Sequence, residues 1–239
     1  MIIRTSMHPK YLSNAYLVAD HRDGHAIVID AGAPIEPLLS EAAELNVQIT
    51  HLLTTHDHHD HIENADALVA ATGAQRIDAN ELAPDVQLEI GELRVHALAT
   101  PGHAAEHAAF VVNDEVVFTG DVLFKGTVGG TMGYGPAGYD QLRHSIMDIL
   151  LALPDETVVY PGHTDPTTIG AEREANPFIR VWRGVDTTSD EPVEVLGDTA
   201  TLKLWAPDYD GTNKALVELD DGLLAIVGGS RVKRLTSID

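Results

Sequence analysis

Four potential metal ligands fall within the single stretch His56-Asp57-His58-His59-Asp60-His61, and no other feature of the chain restricts its fold as much. The residues before it, Gln48-Ile49-Thr50-His51-Leu52-Leu53, form an apolar and β-branched run that reads as a buried strand, and Ile62 to Ala71 reads as a helix. The cluster therefore stands where a strand gives way to a helix. Extended backbone there sends His56 and His58 to the same side, because side chains two apart share a face, so their imidazoles could grip one metal. Asp60 and His61 follow as the chain turns into the helix and could reach a second. A solvated loop rich in His and Asp is the competing reading; the placement of these residue types in a structured turn disfavours it.

Three further stretches stand in a telling order: Thr100-Pro101-Gly102-His103, Phe118-Thr119-Gly120-Asp121-Val122-Leu123-Phe124, and Tyr160-Pro161-Gly162-His163. Each follows an apolar run that reads as a strand. Alone, Asp121 is compatible with an ordinary strand-end turn. Together with the cluster, the four stretches resemble the signature of the metallo-β-lactamase-fold hydrolases, over about residues 1–183, and the glyoxalase II-like (hydroxyacylglutathione hydrolase-like) branch in particular, since Glu174-Ala175-Asn176-Pro177-Phe178 follows the last His.

The resemblance implies an α/β fold, the αββα sandwich of that family. It implies one metal held by His56, His58 and His103, a second by Asp60, His61 and His163, and Asp121 bridging them. His107 is similar to a family His that supports the site without binding metal. The cofactors implied are two divalent metal ions, zinc by default for a nitrogen-rich set, with iron or manganese also accepted by mixed His/Asp ligands. The activity implied is attack on a thioester or ester carbonyl by a hydroxide shared between the metals. Asp60 and His107 count among the catalytic groups, and Tyr134, with Tyr139 beside it, is the candidate oxyanion partner. A lactonase would use the same site, and a persulfide dioxygenase shares the motifs with a single iron. Diiron electron-transfer relatives carry Glu where this chain has His58.

The resemblance also bears on substrate. Glutathione thioesterases of the branch carry Arg or Lys near the position of Gly130, where this chain has Gly130-Thr131, and Lys125 is out of register. The region also departs from the branch at Ala104-Ala105-Glu106. Small or neutral thioesters, esters or lactones are therefore expected in preference to S-lactoylglutathione. The net charge of −22, from 37 acids against 15 bases, repels phosphate backbones, so no nucleic-acid partner is expected. Gly133-Tyr134-Gly135-Pro136-Ala137-Gly138 matches a dinucleotide pattern by letter only, since no strand immediately precedes it and Pro136 interrupts the turn.

Strands are expected at residues 2–5, 15–19, 26–29, 75–77, 86–90, 93–99, 108–112, 115–118 and 157–160, and helices at 34–45, 139–153 and, broken at Pro177, 167–182. Residues 125–138 read as a glycine-rich loop and His8 as a possible border of the pocket. Residues 184–239 are expected to form a separate appendage: a polar linker, Asp186 to Pro192, then four strands at 200–206, 214–219, 223–227 and 231–235. This small antiparallel β module would cover the pocket, build a homodimer contact, or cap the main sheet. No apolar run approaches the roughly 20 residues of a membrane span, no signal-peptide plan opens the chain, and a cytoplasmic location follows by default. Cysteine is absent, so no thiol nucleophile is available.

Overall fold

The structure is a computed structural model that describes residues 1–82, 85–132 and 138–235. Its first sheet holds β1 (Ile2–Met7), β2 (Asn14–Ala19), β3 (His25–Ile29), β4 (Gln48–Leu53) and β5 (Gln75–Ile77) side by side in chain order. The first three are antiparallel, and β3, β4 and β5 are parallel. β2 is buried along its whole length because both faces of the sheet are covered. On the outer face Leu17, Val28 and Leu52 pack against Leu38 of α1 (Glu36–Leu45). The cluster residues then open a short helix, α2 (His59–Ile62), and α3 (Ala65–Thr72) adds Leu68 to the same layer. On the inner face Ile27, Ile29 and Leu53 meet Phe110 and Phe118 of the second sheet.

The second sheet contains β6 (Gln87–Ile90), β7 (Leu93–Ala99), β8 (Ala108–Val112) and β9 (Val116–Gly120). A small hairpin, β10 (Leu123–Phe124) with β11 (Thr127–Val128), precedes β12 (Val158–Pro161) and β13 (Thr167–Thr168), and the sheet order is β13-β12-β9-β8-β7-β6. The outer face of this sheet carries α4 (Gly138–His144), α5 (Ile169–Ala175) and α6 (Pro177–Trp182). Helix, sheet, sheet and helix thus stack as the αββα sandwich of the α/β class. β7 and β9 both run against β8, and β12 runs parallel to β9, so β7, β9 and β12 share one direction. Their ends lead into His103, Asp121 and His163, as β3 and β4 lead into Asp30 and His56.

Where the elements differ from the sequence reading, backbone chemistry explains it. The hairpin at Asn113-Asp114 forms as expected, both residues taking positive φ of 55° and 60°. The helix after the cluster breaks between α2 and α3, and β13 occupies the start of the segment read as helical. The helix expected over 139–153 is α4 followed by a π turn at Ser145–Ile149 and a 3₁₀ turn at Leu150–Ala152. Apolar spacing does not register the residue a π turn inserts, yet the turn aims Ser145 Oγ at the Pro101 carbonyl, 2.8 Å away, just before His103.

The C-terminal sheet has five strands: β14 (Glu191–Val195), β15 (Asp198–Pro207), β16 (Asn213–Leu219), β17 (Leu224–Gly228) and β18 (Val232–Arg234). β14 lies partly in the expected linker; Val193 and Val195 bury themselves, and pairing with β18 begins only after Pro192. One face of this sheet, through Ala206, Leu216 and Ile226, joins the core over α4 and α6. Among the described residues no helix is long and apolar enough to cross a membrane.

Candidate metal centre

The strand ends bring seven side chains together in two groups. In the first, His56 Nε2 and His103 Nε2 each lie 3.0 Å from His58 Nδ1. In the second, His163 Nε2 lies 3.5 Å from Asp60 Oδ2, which is 3.9 Å from His61 Nε2. Asp121 stands between them. Its Oδ2 is 3.5 Å from His103 Nε2 and 3.3 Å from His163 Nε2, and its Oδ1 is 3.2 Å from His61 Nε2. His56, His58, His103 and Asp121 could hold one ion and Asp60, His61 and His163 another. Every residue read from the sequence as a ligand is in one of these groups.

The ring nitrogens of His56, His61, His103 and His163 that face away from the centre are engaged, and this fixes which of their lone pairs point inward. His103 Nδ1 is 3.0 Å from the Gly130 carbonyl and His163 Nδ1 is 2.9 Å from the Tyr11 carbonyl; a carbonyl can only accept, so both Nδ1 atoms carry the proton. His61 Nδ1 donates to Asp30 Oδ2 at 2.9 Å, and His56 Nδ1 to Thr55 Oγ1 at 3.0 Å, while the Thr55 hydroxyl donates to Asp30. Such partners orient metal-binding histidines and raise their basicity.

The buried atoms test the fit directly. His61 Nε2 and Asp121 Oδ1 face each other at 3.2 Å, yet neither makes a hydrogen bond. Two lone-pair atoms aimed at a common cation produce this arrangement, and a buried polar atom without a partner is otherwise costly. Burial pushes His56 well below the usual imidazole range and lowers His103, leaving both neutral and ready to ligate. Burial would also lower His61, but in the metal-free chain the carboxylates of Asp121 and Asp30 outweigh it and raise this imidazole, and a cation at Nε2 would take the place of the proton they favour. The reverse holds for Asp121: burial would raise it, and His163 and His61 keep it well below the usual carboxylate range. Close packing is a condition of this geometry, since a Cβ at Gly162 would collide with Asp121 Oδ1.

His107 takes the place the sequence suggested, outside the ligand sets. Its Nε2 accepts the Asp121 backbone N–H at 3.2 Å, its Nδ1 meets Thr100 Oγ1 at 2.8 Å, and burial pushes it down to about 3. Tyr134 lies outside the described residues. Tyr139 is a correction: its hydroxyl accepts from the Trp182 indole at 2.9 Å and its ring belongs to the core beneath the C-terminal sheet. His8 does not reach the ligands; it stacks on Tyr11, whose carbonyl orients His163. Lys125 pairs with Asp165 at the surface.

Three residues escaped the sequence reading. Asp30, buried at positive φ of 55°, binds the Thr55 backbone N–H as well as His61 and the Thr55 hydroxyl. An Asp-Ala-Gly following a strand was its one visible signal. Tyr209, from the β15–β16 turn, stacks on His163 with ring centres 4.6 Å apart and planes at 16°, and also meets the Phe124 ring. Burial, followed by the Asp121 carboxylate, raises its phenol, so it stays a donor at neutral pH. Arg231 lines a cavity of about 400 Å³ that opens onto His58 and His103 beside Gly130. Arg231 thus brings a cation of the C-terminal sheet to the pocket that Gly130 also lines.

The comparisons with known proteins agree with this geometry. The model of the Metallo-beta-lactamase superfamily matches residues 9–83. The hydroxyacylglutathione hydrolase GloC of Haemophilus influenzae is 30% identical over 200 residues, covering 71% of this chain and 93% of the relative. The crystal structure of ETHE1 from Myxococcus xanthus superposes with a TM-score of 0.67 at 30% identity, over 78% of this chain and 92% of that one. TTHA1623, solved in a di-iron-bound form, gives a TM-score of 0.61 at 31% identity, over 72% of this chain and 98% of that one. With the four motifs placed at one end of an αββα sandwich and matched across nearly the full length of such relatives, the chain belongs to the metallo-β-lactamase superfamily, with hydroxyacylglutathione hydrolases among its kin.

Proposed function

We propose that this protein is a dinuclear metal-dependent hydrolase of thioesters or esters. The single observation that carries the reading is Asp121, whose two carboxylate oxygens face the histidines of both groups. His56, His58 and His103 would hold one divalent cation, Asp60, His61 and His163 the other, with Asp121 shared. When bound, such a pair supplies Lewis acidity toward a carbonyl oxygen and water acidic enough to ionise near neutral pH. The chain's own residues do the remaining work. Thr55, Asp30, Gly130 and Tyr11 keep the ligand lone pairs pointed inward, and His107 fixes the Asp121 backbone. Tyr209, stacked on His163, is a second candidate beside Tyr134 for the donor role. Residues 1–183 form the hydrolase unit in this reading, and 184–239 the appendage that walls its pocket.

Zinc suits the five-histidine set, and the di-iron form of TTHA1623 supports iron as an alternative. Metal content measured beside a panel of thioesters, esters and acyl lactones tests the proposal. Two metals per chain with thioester or ester turnover supports it. Lactones preferred by kcat/KM would make the protein a lactonase, and one iron per chain with oxygen uptake on persulfides would make it a dioxygenase.

A further inference from the structure

We propose that the C-terminal sheet builds an anion subsite on the pocket, with Arg231 as its cation, and that the substrate carries a carboxylate. This deepens the hydrolase reading and rests on it for the chemistry, although the subsite itself is a matter of binding.

The wall is wired to the centre at two points. β17 is clamped to the loop that orients His103: Thr131 N donates to the Ile226 carbonyl and Ile226 N donates to Thr131 Oγ1, both at 2.9 Å, and the neighbouring Gly130 carbonyl holds His103 Nδ1. On the other side Lys214, buried, donates to the Val128 carbonyl at 2.7 Å and pairs with Asp208 at 3.0 Å, seating the turn that lays Tyr209 on His163. The sheet therefore flanks both ligand groups in a fixed register. From it, Ile226, Gly228 and Arg231 line the same cavity as His58, His103 and Gly130.

Arg231 is set apart by its place on the cavity wall. With 37 acids available, most Lys and Arg side chains sit on a carboxylate, as Arg180 does on Asp186 and Lys233 on Glu194. Arg231 has no ion pair with any described residue and is exposed on the cavity wall. A guanidinium offers a planar fork that matches a carboxylate. The −22 surface repels anions at long range, so a cation on the wall of this cavity selects those whose carboxylate reaches it. This revises the expectation of neutral substrates.

The test uses metal-loaded full-length protein and matched substrates. One arm compares the acetyl thioesters of 3-mercaptopropanoate and 3-mercaptopropanamide, with the carboxylate on the leaving half; the other compares succinyl and succinamoyl thioesters of a neutral thiol, with it on the acyl half. Calorimetry with the corresponding non-hydrolysable thioethers reads binding without turnover. In at least one arm, Arg231→Gln should lower the carboxylate-to-carboxamide ratio of kcat/KM about tenfold, the scale of one charge-assisted contact, through KM and with a matching loss in Kd. Arg231→Lys should lose less, and Lys233→Gln should leave the ratio alone. An equal thermal midpoint for Arg231→Gln verifies its fold. Ratios and Kd values that do not move in either arm overturn the subsite, while turnover of the carboxamides leaves the hydrolase standing. Arg231-dependent binding without any turnover has the opposite meaning: the subsite holds and the hydrolase reading fails.

Discussion

The two ligand groups are built from similar residues and held in different ways. The second is the more enclosed at its histidines: His61 is fully buried, His163 is 3% exposed, and their outer nitrogens are tied to Asp30 and to the Tyr11 carbonyl, with Asp60 the partly exposed member of the group. The first is open, with His58 and His103 on the wall of the cavity and His103 oriented by a loop that the C-terminal sheet clamps. A rigid side for holding a cation and an accessible side for meeting substrate follow from this difference. Residues beyond the motif-bearing part of the chain reach both sides, the open one through the clamp on the His103 loop and the enclosed one through Tyr209 stacked on His163.

Asp121→Ala should erase the comparison, because it removes the charge both groups share. Metal content should fall below two per chain and turnover by about 10³-fold, the scale of losing a preorganised charge at a reaction centre; retention of both metals would contradict the bridging role. Asp30→Asn should break the enclosed group selectively. It leaves the His61 Nδ1–H facing an amide, and affinity for the second metal should drop about 10–100-fold in competition with a chelator while the first changes less. Equal weakening of both sites would show that the two groups are not separately supported.

A smaller effect is expected at His107. Metal content of His107→Asn should be kept while turnover drops roughly tenfold; loss of a whole metal would make His107 a ligand. The same variant carries a pH signature in the metal-free chain. The folded His107 titrates at about 3, below its ordinary value of 6.5, so between those values the unfolded state binds the extra proton. Its contribution is intact above pH 6.5 and is lost as pH falls, at up to about 1.4 kcal/mol per pH unit. His56, also lowered, acts in the same sense, whereas His61, raised, stabilises the fold at low pH and loses that contribution as pH rises. Denaturant titrations from pH 7 to 5 should show a shallower loss for His107→Asn than for the parent chain; parallel slopes would refute the assignment.

The ligands of both sides were legible in the sequence and the residues that support them were not. Short apolar strands ending in His56, His103, Asp121 and His163 announce themselves, because burial demands apolar runs and the ligands must follow them directly. Asp30 also follows an apolar strand, but its role exists only once β3 lies beside β4 and brings it under Thr55 and His61. Arg231 and Tyr209 are farther from view. They sit in turns of a small sheet whose position on the sandwich is set by Ala206, Leu216 and Ile226, three ordinary apolar residues. β14 was hidden by Pro192 and its acidic neighbours, and the π turn after α4 by a periodicity that counts turns but not insertions.

The central claim is that one carboxylate joins two metal positions into a hydrolytic centre. Its most direct test is a titration of the metal-free protein with zinc, bound metal and thioester hydrolysis being followed together. The account predicts saturation at two ions per chain, with activity rising as the second position fills. Saturation at one ion, with full activity already reached or with oxygen uptake on persulfides in the iron-loaded protein, would contradict it.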